Sequence, residues 1–445
     1  MLEVFLALEL KVLGALDRPV RLVLPQAVPA PVADFWRGWN NAWTVEISPL
    51  SYAPSYDPWR ISPHRRPRRR SRAVFFGGGK DSTLVSQIWR EADGADAVLL
   101  VRGVYSATPG DGRLQALRAD AERRMLRPNR DAFGLASACY WTDYPATIHP
   151  TAAAARPHLE LHTAGALPIL LAHGVETAAF CLEWSGFLSP WPDGDPEPQF
   201  NKPRSSPEYL ASQSRHYRDV LGTPLTITNP GWAVPFSGVM KALVERYPAA
   251  TRTFVSCPRI STQRWCMTCP KCRSNVFYLL GAGLVDPDYD YSRALTTGER
   301  YLTASTASPH SRGQGRNLAW TPEMPVAARF FEERCDNVAR IDMTPLRAKL
   351  TPAAYEELSR IHAAFGNERL PRSLQVPRTA LDRLPRDVAK VLEHAVAPHL
   401  EIVDDISDFI DPAGIRQVLP WHLTATLSRG MPPASAAPTA ERLQR

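Results

Sequence analysis

The chain contains 445 residues, 44% of them hydrophobic, and carries a formal net charge of +7. Its length allows two or three domains with full-sized hydrophobic cores. No apolar run reaches the roughly 18 residues that a membrane-spanning helix needs, so we expect no such helix. Four of the seven cysteines lie in one tight group, which indicates a metal in a reducing compartment rather than disulfides. We therefore expect a cytoplasmic protein with no membrane partner.

Residues 1–70 are predicted to form an N-terminal domain. Glu3 and Glu9 interrupt its apolar start and no basic segment precedes it, so we expect a structured strand or helix rather than a signal peptide. A basic run, His64 to Arg72, spans the end of this domain. This run is either a solvated linker or a contact surface for a polyanion such as a nucleotide-linked sugar or RNA. It has no interleaved aromatic residues, so a stacking platform for single-stranded nucleic acid is not predicted there, and nucleic acid is not the preferred partner.

The next segment predicts a strand, a turn and a helix. Ala73 to Phe76 is an apolar run that ends at three glycines, which suits a buried strand. Asp81 or Ser82 could cap the helix that follows. Residues 97–101 predict a second buried strand, which completes a βαβ unit. One face of the helix carries its apolar side chains: Leu84, Val85, Ile88, Trp89 and Ala92.

The turn of this unit has the composition of a phosphate site. Glycine lets the backbone turn sharply and approach a ligand, and the N–H groups at a helix start favour an anion. Lys80 adds a positive charge, and we expect neither Lys80 nor Asp81 in the core. Asp81 directly follows the lysine, so the pattern is not that of a P-loop NTPase. Ser82 stands where the dinucleotide pattern requires its third glycine, which excludes that motif too.

Farther along the chain, residues 71–290 read as α/β. Residues 162–174 predict a helix, and residues 176–184 predict another buried strand. Glu183 ends that strand, where ligands bind in open α/β sheets, so it is either a catalytic base or a solvated salt-bridge residue. Lys202 and His216 are further candidates for the base. We predict a mainly helical C-terminal domain over residues 291–430 and a disordered tail over residues 431–445.

The cysteine group has metal-ligand spacing. The pattern is C-x8-C-x2-C-x2-C, formed by Cys257, Cys266, Cys269 and Cys272. Close C-x2-C steps bring thiolates within reach of one tetrahedral ion, and four thiolates leave no open position. A structural Zn²⁺ is the preferred interpretation, with free thiols or an iron–sulfur cluster as alternatives. The isolated Cys139, Cys181 and Cys335 are expected to be small buried hydrophobic residues.

The glycine turn resembles the S-G-G-x-D-S loop of the PP-loop ATP pyrophosphatases, with Gly77 in place of the first serine. In that superfamily the loop holds the β,γ-pyrophosphate of ATP while an acceptor oxygen attacks the α-phosphorus. The resemblance implies a parallel sheet, ATP and Mg²⁺ as ligands, and Lys80 and Asp81 as catalytic residues. It also implies a set of nucleotide-binding residues: Gly77, Gly78, Gly79, Lys80, Asp81 and Ser82.

The two motifs together are similar to two families. A PP-loop followed by this cysteine spacing resembles 7-cyano-7-deazaguanine synthase, which turns a carboxylate into a nitrile with ammonia. The tracts Ser256 to Arg259 and Trp265 to Cys272 more closely resemble S-C-x-R and W-C-x-x-C-P-K-C of the UDP-N-acetylmuramoyl-L-alanyl-L-glutamate epimerase family. That resemblance implies adenylation of a peptide carboxylate, inversion at Cα and release of AMP.

Three functions stay open at this point. The first is ATP-dependent epimerisation of an anionic or nucleotide-linked peptide, in peptidoglycan or natural-product biosynthesis. The second is ligation, in which ammonia or an amine captures the adenylate. The third is an RNA-modifying or RNA-binding role for the basic run.

Overall fold

The computed structural model describes residues 20–23, 45–48, 71–105, 113–142, 159–182, 207–222, 224–257, 259–297, 337–365 and 374–404. Predictions for the basic run up to residue 70, for Glu183, Lys202 and Cys335, and for the C-terminal tail lie outside these residues. Among the described residues, no helix has both the length and the apolar character needed to cross a membrane.

Strands and helices alternate through the described residues. The strands are β1 Val20–Val23, β2 Val45–Ser48, β3 Arg72–Phe75, β4 Val98–Tyr105, β5 Ala136–Thr142, β6 Thr177–Ala179, β7 Thr226–Thr228, β8 Gln375–Pro377 and β9 Glu401–Val403. The helices are α1 Lys80–Asp93, α2 Arg113–Ala121, α3 Arg127–Phe133, α4 Leu159–Ala172, α5 Pro207–Leu221, α6 Phe236–Arg246, α7 Pro270–Gly281, α8 Tyr291–Thr296, α9 Pro352–Phe365, α10 Arg378–Asp382 and α11 Arg386–Val396. A π-helical turn, Glu122–Leu126, joins α2 to α3.

The chain divides into two compact units that do not follow chain order. Unit 1 comprises residues 1–184, 202–266 and 375–404, and unit 2 comprises residues 185–201, 267–374 and 405–445. The domain boundaries at 70, 290 and 430 stay a prediction.

A parallel sheet forms the centre of unit 1. Among the described residues, five strands pair in the order β5-β4-β3-β6-β7, and every pair is parallel. This confirms the α/β class with a parallel sheet. From β3 the chain adds β4 and β5 on one side and β6 and β7 on the other, so the strand order reverses between β3 and β6. Parallel α/β sheets bind ligands at such a reversal, outside the carboxyl ends of the strands.

The predicted βαβ unit is confirmed, with shifted boundaries. Strand β3 ends at Phe75, one residue early, and Phe75 stacks on Phe180 with ring centroids 4.3 Å apart. Strand β4 continues to Tyr105 because its second half pairs with β5. Strand β6 is shorter than predicted and ends at Ala179.

Helix α1 buries the predicted apolar face except at its end. Leu84, Val85, Ile88 and Trp89 are buried, and each contributes about 1.5–3 kcal/mol by leaving water. Ala92, the last residue of that face, is exposed. The capping prediction is wrong: the helix begins at Lys80, and Gly79 occupies the cap position without a side-chain hydrogen bond. Asp81 and Ser82 therefore belong to the first turn.

An ion-pair cluster ties the start of β3 to two helices of unit 1. The Arg72 guanidinium lies 2.9 Å from a carboxylate oxygen of Asp93 and 2.9 Å from one of Asp387. Arg72 is the last residue of the basic run, so the run does not end as a solvated linker. It ends in a paired strand residue.

Candidate functional site

The glycine loop leaves the carboxyl end of β3 at the reversal of strand order. The chain reaches solvent there, since Phe76 is buried and Gly77 is exposed. The Phe76 amide donates to the Val101 carbonyl of β4 at 2.8 Å, which holds the start of the loop against the sheet. The first turn of α1 then presents its N–H groups on this side of the sheet.

Gly78 is the position where the loop requires glycine. Its φ of +79° is in the left-handed region, which side chains with a Cβ rarely adopt. A Cβ there would also lie 2.7 Å from Cγ of Met125, on the π-helical turn. The Gly78 carbonyl accepts a hydrogen bond from the Val255 amide at 2.5 Å, so the cysteine tract begins directly against the loop.

The hydroxyl groups inside the loop are turned toward its own backbone. Ser82 Oγ donates to the Gly79 carbonyl at 3.2 Å, and Thr83 Oγ1 donates to the same carbonyl at 2.9 Å. The Thr83 amide adds a third hydrogen bond to that oxygen at 3.0 Å. These bonds fix the first turn of α1.

Lys80 is buried, which corrects the expectation that it lies outside the core. Its side chain is 2% exposed, and its ammonium forms an ion pair with Asp81. The Nζ atom also lies 3.2 Å from the centroid of the Phe236 ring, at the start of α6, which is a close cation–π contact. A buried ammonium with one carboxylate and one aromatic face is held in a fixed place and is shielded from water.

Arg102 adds positive charge beside the loop. This β4 residue donates from Nη1 to the Phe76 carbonyl at 3.4 Å, and the same atom lies 3.9 Å from where a Cβ on Gly77 would stand. The pKa of His162, on α4, is lowered to about 3 by burial of the imidazole ring and by the charge of Arg102. His162 is therefore neutral at pH 7 and a weak proton acceptor.

The end of β6 lies beside the same loop. Burial raises the pKa of the Cys181 thiol well above its usual range, and the charge of Asp81 raises it further. Cys181 is therefore a protonated, buried thiol, as the sequence predicted. The Leu182 backbone is held at both polar groups by the side-chain amide of Asn229, at 2.9 and 3.1 Å. Glu183 is the next residue, outside the described part, and its role as a base stays a prediction.

A further candidate base, His216, lies on α5. The His216 side chain is buried. Its ring is tilted against the neighbouring Tyr217 ring, with centroids 5.5 Å apart. Lys202 lies outside the described residues.

The four predicted metal ligands come together. The thiol sulfur atoms of Cys257, Cys266, Cys269 and Cys272 all lie within 4.8 Å of one another. Tetrahedral Zn–S bonds of about 2.3 Å would place sulfur atoms about 3.8 Å apart, so the cluster could hold a metal ion such as zinc with small adjustments. Cys269 also caps α7, since its sulfur accepts a hydrogen bond from the Cys272 amide.

Arg124 anchors the first part of the cysteine tract. Its guanidinium is buried and paired with Asp120, and it donates to the carbonyls of Arg259 at 2.6 Å and Arg264 at 3.2 Å. Burial alone lowers the pKa of Arg124, but hydrogen bonding to Asp120 and, less strongly, to Cys257 raises it above its ordinary value. Arg124 and Met125 are neighbours on the π-helical turn, so one turn contacts both the loop and the tract.

Comparison with known proteins gives no family assignment. A scan against protein-family models finds no match, and a search of curated proteins finds none at a significant level.

Sequence analysis missed the site residues that arrive from distant parts of the chain. Met125, Arg102 and Phe236 belong to no motif, and nothing in their local pattern marks them.

Proposed function

We propose that this chain is an ATP-dependent epimerase that adenylates the terminal carboxylate of a peptide, inverts its Cα and releases AMP and pyrophosphate. The observation that carries the proposal is the G-G-G-K-D-S loop at the strand-order reversal, with Lys80 buried at the start of α1. Helix N-termini at such positions bind phosphate groups. The substrate class is a peptide with a free carboxylate, either nucleotide-linked, as in peptidoglycan synthesis, or a natural-product precursor.

In the first step, a carboxylate oxygen attacks the α-phosphorus of ATP, and the bond from that phosphorus to the bridging oxygen breaks. Pyrophosphate leaves with the electron pair. Loop N–H groups, Lys80 and Arg102 would stabilise the charge on the leaving group, which is electrostatic catalysis by preorganised donors. Asp81 is the loop carboxylate that would hold Mg²⁺, an ion that prefers oxygen ligands and screens phosphate charge.

The second step explains why inversion would require ATP. Removal of a Cα proton next to a free carboxylate would create a second negative charge on the same group. The adenylate removes the first charge, so a base can take the proton and the carbon can regain one from the opposite face. Glu183 is our proposed base. Water then attacks the acyl carbon, and AMP leaves with one of the original carboxylate oxygens.

The cysteine cluster is proposed to hold a structural Zn²⁺. Four thiols match the ligand set of closed zinc sites, which have no open position for substrate. Three of the four cysteines are buried, as a structural role requires. The bound ion would stabilise the folded cysteine tract, which contacts the loop through Val255. It would take no part in a chemical step.

The test of the adenylate is an oxygen-tracing experiment. A candidate peptide labelled with ¹⁸O in its terminal carboxylate is incubated with ATP, Mg²⁺ and the protein, and the AMP is analysed by mass spectrometry. We expect AMP that carries one ¹⁸O, together with pyrophosphate. ADP and phosphate, or unlabelled AMP, would contradict carboxylate adenylation. Labelled AMP that forms only with added ammonia or an amine would support the ligase alternative.

A further inference from the structure

The first position of the loop carries no hydroxyl group. The first position of the pattern is serine in the superfamily that the loop resembles, and here it is Gly77. The remaining hydroxyls, on Ser82 and Thr83, both donate to the Gly79 carbonyl. A hydroxyl has one proton to donate, so neither is available to an anion while these bonds persist.

Ser256 lies beside Gly79, two residues along the loop from Gly77. Its Oγ is 3.4 Å from where a Cβ on Gly79 would stand, so it lies directly against the loop backbone. The preceding residue, Val255, is fixed to the Gly78 carbonyl by its amide. Ser256 is partly exposed, and within the described residues its hydroxyl makes no hydrogen bond. A donor is thus held beside the loop with its proton unused.

We propose that the Ser256 hydroxyl donates a hydrogen bond to the pyrophosphate group of ATP and so replaces the serine missing at position 77. This inference rests on the proposed function, because it assigns a further binding residue to the same site. It also gives the cysteine tract a direct part in nucleotide binding, since Cys257 follows Ser256. Two hydrogen-bond donors from other parts of the chain lie beside the loop. Arg102 is next to Gly77, and Ser256 is next to Gly79.

The experiment compares the affinity of pyrophosphate and of ATP for the full-length protein by isothermal titration calorimetry, with Mg²⁺ present. We expect Ser256→Ala to weaken both about tenfold or more, the effect of one hydrogen bond to a charged group. Ser261→Ala is the matched control in the same tract, because Ser261 Oγ accepts a local hydrogen bond from the Gln263 amide. This control should leave both affinities unchanged.

A rescue variant separates a missing donor from a distorted loop. Gly77 has room for a side chain, since its φ is outside the left-handed region and the nearest atom to a new Cβ is 3.9 Å away. The double variant Gly77→Ser with Ser256→Ala should recover most of the lost affinity, at an unchanged melting temperature. Affinity in Ser256→Ala equal to wild type, or a loss that Gly77→Ser does not restore, would overturn the assignment.

The outcomes also separate this inference from the proposed function. Wild-type protein that binds pyrophosphate with the expected dependence on Ser256, but forms no AMP, leaves the Ser256 assignment standing and removes the epimerase proposal. AMP formation with a KM for ATP that is unchanged in Ser256→Ala leaves the epimerase proposal standing and removes the Ser256 assignment. Wild-type protein that binds neither pyrophosphate nor ATP overturns both.

Discussion

Replacement of Lys80 by methionine should reduce AMP and pyrophosphate formation at least a hundredfold, the usual effect of losing one preorganised donor to a developing charge. Methionine keeps an unbranched, apolar stem of similar length, so packing against Phe236 is retained while the charge is lost. Alanine is the poorer choice, because Lys80 is buried and truncation would leave a cavity. The measurement is the initial rate of AMP formation at saturating ATP.

The matched control is Lys241→Met on α6. Lys241 is a partly exposed lysine that lies 3.7 Å from Glu245, and it belongs to no part of the proposed site. We expect wild-type rates for this variant and similar melting temperatures for both. A Lys80→Met protein that is folded and forms AMP at the wild-type rate would show that Lys80 does not bind the nucleotide.

Replacement of Cys266 by serine should remove the metal and destabilise the protein by more than about 4 kcal/mol, the range in which loss of a structural metal belongs. Serine is nearly isosteric with cysteine but offers no soft thiolate ligand. Elemental analysis should find about one zinc per wild-type chain, as one closed site requires, and much less in the variant. Chemical denaturation of both proteins gives the change in unfolding free energy.

Cys139→Ser is the control for this experiment. Cys139 is a half-buried cysteine on β5 that does not belong to the four-cysteine cluster, and burial raises the pKa of its thiol. Its replacement should leave the zinc content unchanged. Iron in freshly purified wild-type protein, or zinc retained by Cys266→Ser, would contradict the assignment of a four-cysteine zinc site.

Local sequence patterns were sufficient for the centre of the fold. The apolar run at Ala73, the three glycines and the helical face of Leu84 and Trp89 predicted β3, the loop and α1, because each is specified by neighbours in the chain. The spacing of the cysteines likewise predicted their cluster, since short C-x2-C steps leave few other geometries. The predicted cap failed because the glycine loop itself starts the helix at Lys80.

The missed features depend on contacts between distant residues. Phe236, far along the chain, packs against the buried Lys80, and no local pattern indicates this contact. The contact between Gly78 and Val255 likewise joins the loop to the cysteine tract only after the chain has folded. Strand β4 exceeds its apolar run because β5 supplies hydrogen-bonding partners out to Tyr105. Such partners are set by tertiary structure, which a single sequence does not display.

The most direct test of the epimerase proposal is incubation of the purified protein with ATP, Mg²⁺ and a peptide ending in a free L-carboxylate, in deuterated water. The account predicts AMP, pyrophosphate and a product with inverted configuration that carries one deuterium at the terminal Cα. No ammonia should be required. Recovery of a peptide that keeps its proton and its L-configuration, while AMP forms only with added ammonia or an amine, would contradict the account and favour the ligase or nitrile-synthase alternative.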